Sequence, residues 1–403
     1  MSVLSGKKVL LGVTAGIAAY KSAFLVRLLI KKGAEVRVVM TPSAKEFVTP
    51  LTLSTLSKNE VLTSFTNEED ENAQWNNHVE LGLWADLFII APATANTLSK
   101  MAQGNSDNLL VATYLSAKCP VYFAPAMDLD MYKHPSTIAT FEKLVSFQNI
   151  MISAEHGELA SGLVGKGRMA EPETIVSFVE KDIAAKLPLR GKQFLITAGP
   201  TYEAMDPVRF IGNHSSGKMG YAIAKVAARL GASVTLVSGP TSLEMNDPFV
   251  ELVRVTSAKE MYDAAHKVFG TSDVAILSAA VADYRPATIA NQKIKKKDSE
   301  LTIQLEKTDD ILASLGKLKQ RQFLVGFALE TQNELENAKT KLQKKNLDLI
   351  VLNSLNDQGA GFGTDTNKVT FITRDNKVIP FEVKSKQEVA DDILQHIIIQ
   401  LDA

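Results

Sequence analysis

The sequence predicts an α/β protein of two domains, each built on a largely parallel sheet. Three observations predict it. Short apolar runs alternate with stretches of helical periodicity along most of the chain. Polar turns follow those runs, where open parallel sheets place their ligands. A strand–loop–helix–strand opening occurs near residue 8 and again near residue 194, and a passage with Pro and Gly at 187–192 (LPLRGK) lies between them. The domains are therefore expected over 1–187 and 188–403.

Residues 8–13 (KVLLGV) read as a buried strand, 17–32 as a helix and 35–40 (EVRVVM) as a second strand. Together they make a βαβ unit. Further strands are expected at 86–90, 121–124 and 151–153, and a helix at 173–186 closes the first domain. In the second domain, strands are expected at 194–196, 234–237, 273–277, 323–326 and 348–352. Residues 221–230 form an Ala-rich amphipathic helix. Runs at 370–373 and 378–381 flank Asp375-Asn376, a hairpin signal, and 388–401 is a terminal helix.

The composition narrows the function classes. The chain has 403 residues, 45% of them hydrophobic, enough for two packed cores. Lys plus Arg number 44 against 45 Asp plus Glu, which gives no nucleic-acid footprint. The single cysteine, Cys119, excludes an internal disulfide and fits a reducing cytoplasm. No apolar run reaches the length of a membrane span, and the N-terminus lacks a signal-peptide core. A cytoplasmic protein acting on small molecules is expected, with no nucleic-acid or membrane partner.

The polar residues Thr14, Thr41, Thr94, Asn96 and Asp128 each follow an expected strand, so they gather along one sheet edge. Alone, each reads as a cap or turn residue. Together they suggest a nucleotide or flavin cleft. In the second domain, the passage from Thr197 to Gly220 is long and polar and carries Arg209, Asn213 and Lys218. Its position between a strand and a helix suits phosphate binding. Residues 212–218 match G-x-x-x-x-G-K, but Met219 stands where a P-loop needs Ser or Thr. Tyr221 and Lys225 match Y-x-x-x-K only as ordinary helix-face residues.

These passages resemble the bifunctional phosphopantothenoylcysteine decarboxylase/phosphopantothenate–cysteine ligase family of coenzyme A biosynthesis. In the first half the matching residues are 12–21 (GVTAGIAAYK), His78, 91–97 (APATANT), 125–127 (PAM) with Met131, and 165–169 (GKGRM). In the second half they are the 197–220 passage, 279–286 (AAVADYRP), 293–297 (KIKKK), 308–311 (TDDI), 326–331 (GFALET), Lys341 and Lys345. The resemblance implies a flavodoxin-like FMN-binding domain and a Rossmann-like nucleotide-binding ligase domain.

For the first domain it implies FMN held by Thr14, Ala15, Gly16, Thr41, Ala93, Thr94, Asn96 and Thr97. FMN oxidises the substrate's cysteinyl thiol to a thioaldehyde, carbon dioxide leaves, and the electrons return to the enethiol. His78 acts as acid, base or positioning residue, and Met127, Met131, Arg168 and Met169 contact substrate. For the second it implies that phosphopantothenate's carboxylate attacks CTP, with magnesium, and that cysteine then displaces CMP. Asn213 contacts the acyl-cytidylate, Arg209 supports its loop and Lys293 binds the triphosphate. Ala279, Asp283, Thr308, Asp309, Asp310, Ile311, Phe327, Lys341 and Lys345 line the CTP site. The magnesium ligands are unassigned. Trimeric flavin domains and dimeric ligase domains are also implied.

Two positions depart from the family pattern. Asp128 stands where an Asn is usual, and an ionised carboxylate repels a substrate carboxylate that an amide would bind. Ser161 stands where a cysteine usually protonates the enethiol, and a hydroxyl is the weaker acid. Glu158 or water is a candidate donor beside it. These departures leave open a ligase whose flavin domain is mainly a scaffold. A flavoprotein regulator without activity is the further alternative, against which Asn213 and the Lys293 loop argue.

Overall fold

The computed structural model describes residues 2–66, 75–295, 301–330, 332–354 and 364–402. Lys296, Lys297 and Thr331 of the quoted motifs lie outside the described residues. The chain divides into two compact units, residues 2–185 and 186–403 with Met1 counted in the latter.

The N-terminal unit runs β1 (Lys8–Val13), α1 (Ser22–Lys31), β2 (Glu35–Met40), α2 (Pro50–Ser57), β3 (Val61–Leu62), α3 (His78–Trp84) and β4 (Leu87–Ala93). It continues through α4 (Ala95–Gln103), α5 (Leu109–Ser116), β5 (Val121–Pro125), α6 (Leu129–Lys133), α7 (Pro135–Ser146) and β6 (Ile150–Met151). The hairpin β7 (Glu155–Glu158) and β8 (Val164–Arg168) precedes α8 (Pro172–Ala185). The sheet order is β3-β2-β1-β4-β5-β6, all parallel. Without the two-residue edge strand β3 this is the flavodoxin-like order, with its switch point between β1 and β4.

Period-two alternation builds a core on each face of this sheet. Val9, Leu11 and Val13 face one apolar layer and Leu10 faces the other. Every residue of β4 is buried, as expected of a central parallel strand covered on both sides. The expected helix at 17–32 begins as a 3-10 turn, Ile17–Lys21, before α1.

The C-terminal unit opens with β9 (Gln193–Ala198), the antiparallel pair β10 (Tyr202–Ala204) and β11 (Phe210–Gly212), and α9 (Lys218–Arg229). Then follow β12 (Ser233–Ser238), β13 (Val250–Arg254), α10 (Ala258–Phe269), β14 (Val274–Leu277), the pair β15 (Tyr284–Pro286) and β16 (Leu305–Lys307), and α11 (Ile311–Leu318). The unit ends with β17 (Phe323–Glu330), α12 (Glu334–Lys344), β18 (Leu349–Ser354), β19 (Thr366–Asn367), β20 (Val369–Thr373), β21 (Val378–Pro380), β22 (Lys384–Ser385) and α13 (Lys386–Leu401). Its main sheet is β13-β12-β9-β14-β17-β18-β20-β21. The first six strands take the Rossmann order, with the switch point between β9 and β14. The last two are antiparallel, so the expected hairpin at 370–381 forms the sheet edge.

α13 shows why its stretch is a helix. Ser385 and Glu388 form a capping box that fixes its start. Val389, Ala390, Ile393, Leu394 and Ile397 then recur on one face and are buried in the same core as α9. Each of the four larger side chains contributes about 1.5–3 kcal/mol on burial.

Candidate functional site

In the N-terminal unit a cavity of about 890 Å³ opens at the carboxyl ends of β1, β2, β4 and β5. Ala15, Gly16, Thr41, Thr94, Asn96, Thr97, Met127, Asp128, Met131, Ser161, Arg168 and Met169 all line it. Thr94 is the N-cap of α4 yet makes no side-chain capping bond, so the helix N-terminus keeps open donors at the cavity edge. Thr41 carries a buried hydroxyl with no hydrogen-bond partner. The open helix end and that hydroxyl suit a phosphate, and the Ala and Met side chains suit a flat apolar ring. The residues present therefore fit FMN.

Three expected residues stand elsewhere. Thr14 is fully buried. Its hydroxyl donates to the Pro92 carbonyl at 2.8 Å and accepts from the Thr94 amide at 3.1 Å. It fixes the 91–94 turn and does not line the cavity. Ala93 is likewise sealed within β4. His78 begins α3 and is not on the cavity wall. Its ring meets Phe65 edge-on at 6.1 Å, and its Nδ1 is buried without a partner.

Asp128 caps α6, its carboxylate accepting from the Leu129 amide at 2.6 Å. Asp and Asn serve equally as N-caps, which accounts physically for the exchange of one for the other here. Ser161 sits at the exposed tip of the β7–β8 hairpin, where Leu159 and Leu163 close the turn with a 2.8 Å backbone bond.

The hairpin rests on the 126–128 loop. Met127 N donates to the Gly167 carbonyl at 3.1 Å, and a Cβ added at Gly167 would lie 2.4 Å from the Met127 carbonyl oxygen. Gly167 also has φ 155°, a conformation side chains disfavour.

Sequence reasoning assigned no role to Lys21 or Glu171. Lys21 lines the cavity while buried, and its ammonium meets Glu171 at 2.8 Å. Arg168 binds the same carboxylate. The Lys21 bond, ahead of Arg168, holds the Glu171 carboxyl below its ordinary pKa.

In the C-terminal unit a smaller cavity, about 160 Å³, lies at the head of α9. Its walls include Ser215 to Gly220, Ala279, Ala280, Phe327, Asn353, Asn367 and Lys386. Asn213 stands beside it, its amide donating to the Ala280 carbonyl at 3.0 Å. Phe327's carbonyl accepts from Lys341 at 2.9 Å. Lys345 pairs with Asp310 at 2.7 Å, and Asp310 also caps α11 through Ala313 N. Thr308 is anchored near Asp283, its amide bonding the Asp283 carbonyl at 3.0 Å. Asp283, Asp309 and Lys293 are exposed.

Ile311 and Arg209 are both engaged within the protein. Ile311 is buried in the apolar layer with Leu312 and Leu315, so it packs the core. Arg209 spends its guanidinium on Asp206 at 2.6 and 3.0 Å and on the Ile294 carbonyl at 2.6 Å. It tethers its own loop to the 290–294 segment. Burial opposes ionisation of Asp206, but Arg209 and the amides of Ile294, Val208 and Arg209 outweigh it and depress its pKa.

No group of three metal-ligating side chains occurs among the described residues. No helix among them is long and apolar enough to cross a membrane.

Residues 2–184 match the Flavoprotein family model, and residues 189–400 match that of the DNA/pantothenate metabolism flavoprotein C-terminal domain. A "Cysteine/Cysteine sulfinic acid decarboxylase" from an unknown prokaryotic organism is 54% identical over 87% of this chain and 99% of its own. The "Coenzyme A biosynthesis bifunctional protein CoaBC" of Bacillus subtilis (strain 168) is 47% identical over 98% of this chain and 97% of its own. The protein of the same name from Escherichia coli (strain K12) is 44% identical over 99% and 98%.

Proposed function

The chain belongs to the CoaBC family of bifunctional coenzyme A biosynthesis flavoproteins, and from that premise we propose how its two units divide the chemistry. The protein is an enzyme with ligase and decarboxylase activities. In our reading the C-terminal unit joins phosphopantothenate to cysteine at the expense of CTP, with magnesium. The N-terminal unit then decarboxylates the product to phosphopantetheine. The observation that carries this reading is the cavity of about 890 Å³ at the β1/β4 switch point, with its open α4 end and unpartnered Thr41 hydroxyl.

FMN, when bound, supplies the two-electron redox chemistry. The chain supplies position and protons. Thr41 and the α4 N-terminus hold phosphate, and Met127, Met131 and Met169 exclude water. Arg168, oriented by Glu171, faces the substrate carboxylate. Ser161 at the hairpin tip relays a proton to the enethiol carbon from water or Glu158, since transfer through a positioned group needs reach as well as acidity.

In the C-terminal unit, Asn213 contacts the acyl-cytidylate, Lys293 meets the triphosphate, and Phe327, Asp283, Lys341 and Lys345 bound the nucleotide. We expect a cytoplasmic oligomer of trimeric flavin units and dimeric ligase units, measurable by light scattering.

The deciding experiment incubates the protein with phosphopantothenate, cysteine, CTP and magnesium and follows the products by mass spectrometry. Phosphopantetheine is expected. Accumulation of phosphopantothenoylcysteine would leave the flavin unit a scaffold. The purified protein is also expected to be yellow, with a flavin spectrum that a colourless preparation refusing added FMN would contradict. Cys119→Ala should leave the decarboxylation rate within about twofold. Burial pushes the Cys119 thiol up to about 11, which makes it a poor acid at neutral pH.

A second reading of the flavin unit rests on the 54% identical relative, whose name specifies cysteine and cysteine sulfinic acid. Offering free cysteine, cysteine sulfinic acid and phosphopantothenoylcysteine side by side separates the two. A higher kcat/KM on either small amino acid would replace the phosphopantothenoyl substrate.

A further inference from the structure

We propose that Asp128 and Arg168 form a clamp for a free α-amino acid, so that the flavin unit takes free cysteine and releases cysteamine. Arg168 meets the α-carboxylate and Asp128 the α-ammonium. Phosphopantothenoylcysteine lacks that ammonium, because its cysteinyl nitrogen is an amide. The proposal rests on the decarboxylase reading of this unit and gives its second reading a residue that sets the choice of substrate.

The starting point is the charge on the wall of the large cavity. Three carboxylates line it, Asp107, Asp128 and Glu158. Lys100 neutralises Asp107 at 2.5 Å. Glu158 is exposed to water, whereas Asp128 is half-buried. Among the described residues no basic side chain pairs with Asp128, and its Oδ1 accepts from the Leu129 amide while Oδ2 stays open. A carboxylate drawn out of water without a counter-charge is unfavourable, and a ligand cation relieves it. Arg168 lies on the same wall, and its pairing with Glu171 leaves other guanidinium N–H donors for a ligand. Asp128 and Arg168 form no ion pair with each other, yet their backbones adjoin. Met127 N donates to the Gly167 carbonyl at 3.1 Å, one residue before each of them. A Cβ added at Gly167 would lie 3.6 Å from the Asp128 carbonyl carbon. Loop and hairpin thus hold one anion and one cation on adjoining backbone of one wall. An α-amino acid carries the opposite pair on a single carbon.

The clamp selects by attraction and by repulsion. A carboxylate at 128 attracts an ammonium beside the substrate carboxylate and repels a substrate that brings the carboxylate alone. The reaction needs no reagent beyond the flavin of this unit. The thiol-bearing carbon and its sulfur give two electrons and two protons to FMN, which leaves a thioaldehyde. The bond from Cα to the carboxylate then breaks, and its electron pair forms the enethiolate as carbon dioxide departs. The two electrons and two protons return, and one further proton from water takes the place of the carbon dioxide. Ser161 and Glu158 line the same wall and serve that last transfer as they do for the larger substrate.

The flavin-loaded, full-length protein is offered L-cysteine, N-acetyl-L-cysteine and phosphopantothenoylcysteine without CTP, so that the ligase is idle, and products are followed by mass spectrometry. N-acetyl-L-cysteine keeps the thiol and carboxylate, and its nitrogen is acylated as in phosphopantothenoylcysteine. The wild type is expected to convert L-cysteine to cysteamine with a kcat/KM about tenfold or more above that for N-acetyl-L-cysteine. Asp128→Asn keeps the side-chain shape and the N-cap. It should raise the KM for L-cysteine about tenfold or more with little change in kcat, and raise kcat/KM for phosphopantothenoylcysteine. L-Serine, which has no thiol to oxidise, gives a binding readout by calorimetry. It should bind the wild type about tenfold or more tighter than Asp128→Asn. An unchanged KM for L-cysteine, or an equal fall on both substrates, overturns the clamp. So does a wild type that processes phosphopantothenoylcysteine and leaves L-cysteine untouched. If Asp128→Asn loses its flavin, the wild-type comparison of L-cysteine with N-acetyl-L-cysteine decides, and equal rates overturn the proposal. If the wild type decarboxylates none of the three, the decarboxylase reading fails, while the L-serine titration still decides whether the clamp exists.

Discussion

Lys293→Gln is expected to lower the ligase kcat/KM by about two to three orders of magnitude, the usual cost of removing a positioned charge from a developing phosphoryl transition state. Decarboxylation of supplied phosphopantothenoylcysteine should be untouched. The side chain is exposed, but its backbone is not free to wander. Asp206 Oδ2 accepts from the Ile294 amide at 3.1 Å, Arg209 reaches the Ile294 carbonyl, and Ala290 N donates to the Met205 carbonyl at 3.0 Å. The 290–294 segment is thus held at two points, so Lys293 projects from a fixed stem. Such preorganisation separates a catalytic cation from an ordinary surface lysine.

Asp206→Ala should reproduce much of the loss without removing any substrate contact. Because the Asp206 pKa is depressed on folding, the stability it contributes is present above the ordinary value of 3.8 and is lost only as pH falls toward the folded-state value. The tether is therefore constant across the neutral range, and the ligase pH profile of the wild type should show no step from it. Equal loss of both activities in Lys293→Gln would mean misfolding, and full ligase activity would remove Lys293 from the mechanism.

The sheets were legible because their strands are covered on both faces. Runs such as KVLLGV and EVRVVM have few alternative uses in a globular chain. The β7–β8 hairpin was not legible. β8 reads VGKGR, with neither the apolar alternation nor the β-branched content of a strand. It pairs because its glycines let it lie against the 126–128 loop, a tertiary fact.

The same division runs through the sites. Resemblance located Gly16, Thr94 and Met127 on the cavity wall. The bonds by which Thr14 ties the 91–94 turn were not legible, since a hydroxyl at a strand end either faces the cleft or ties a neighbouring turn, and spacing does not choose between them. Ile311 read as part of a polar TDDI loop, although its apolar side chain turns inward as α11 begins. Lys386 gave no signal, because a lysine at the start of a helix is ordinarily solvated. Only the packing of α13 buries it.

Gly167→Val is expected to reduce decarboxylation by about a hundredfold or more while sparing the ligase. The substitution meets two obstacles. The residue's φ of 155° lies where a β-branched residue is strained, at a cost of about 1–3 kcal/mol. Its Cβ would also stand 2.4 Å from the Met127 carbonyl oxygen, and that atom belongs to backbone. The hairpin must therefore lift from the 126–128 loop, breaking the Met127–Gly167 bond. Ser161 and Arg168 ride on this hairpin, and Asp128 and Met127 form the surface it leaves. An ångström of separation between them suffices for a hundredfold loss when a proton must be delivered to one carbon. Thr41 and Thr94 to Thr97, the residues proposed to hold the flavin, lie on other elements, so the variant should keep its yellow colour. Stopped-flow absorbance should then show the flavin reduced by substrate but slow to reoxidise, since reprotonation is the step that needs the hairpin. If Gly167→Val keeps its flavin and reoxidises it at the wild-type rate, the hairpin is not the proton-delivering element and Ser161 loses its role.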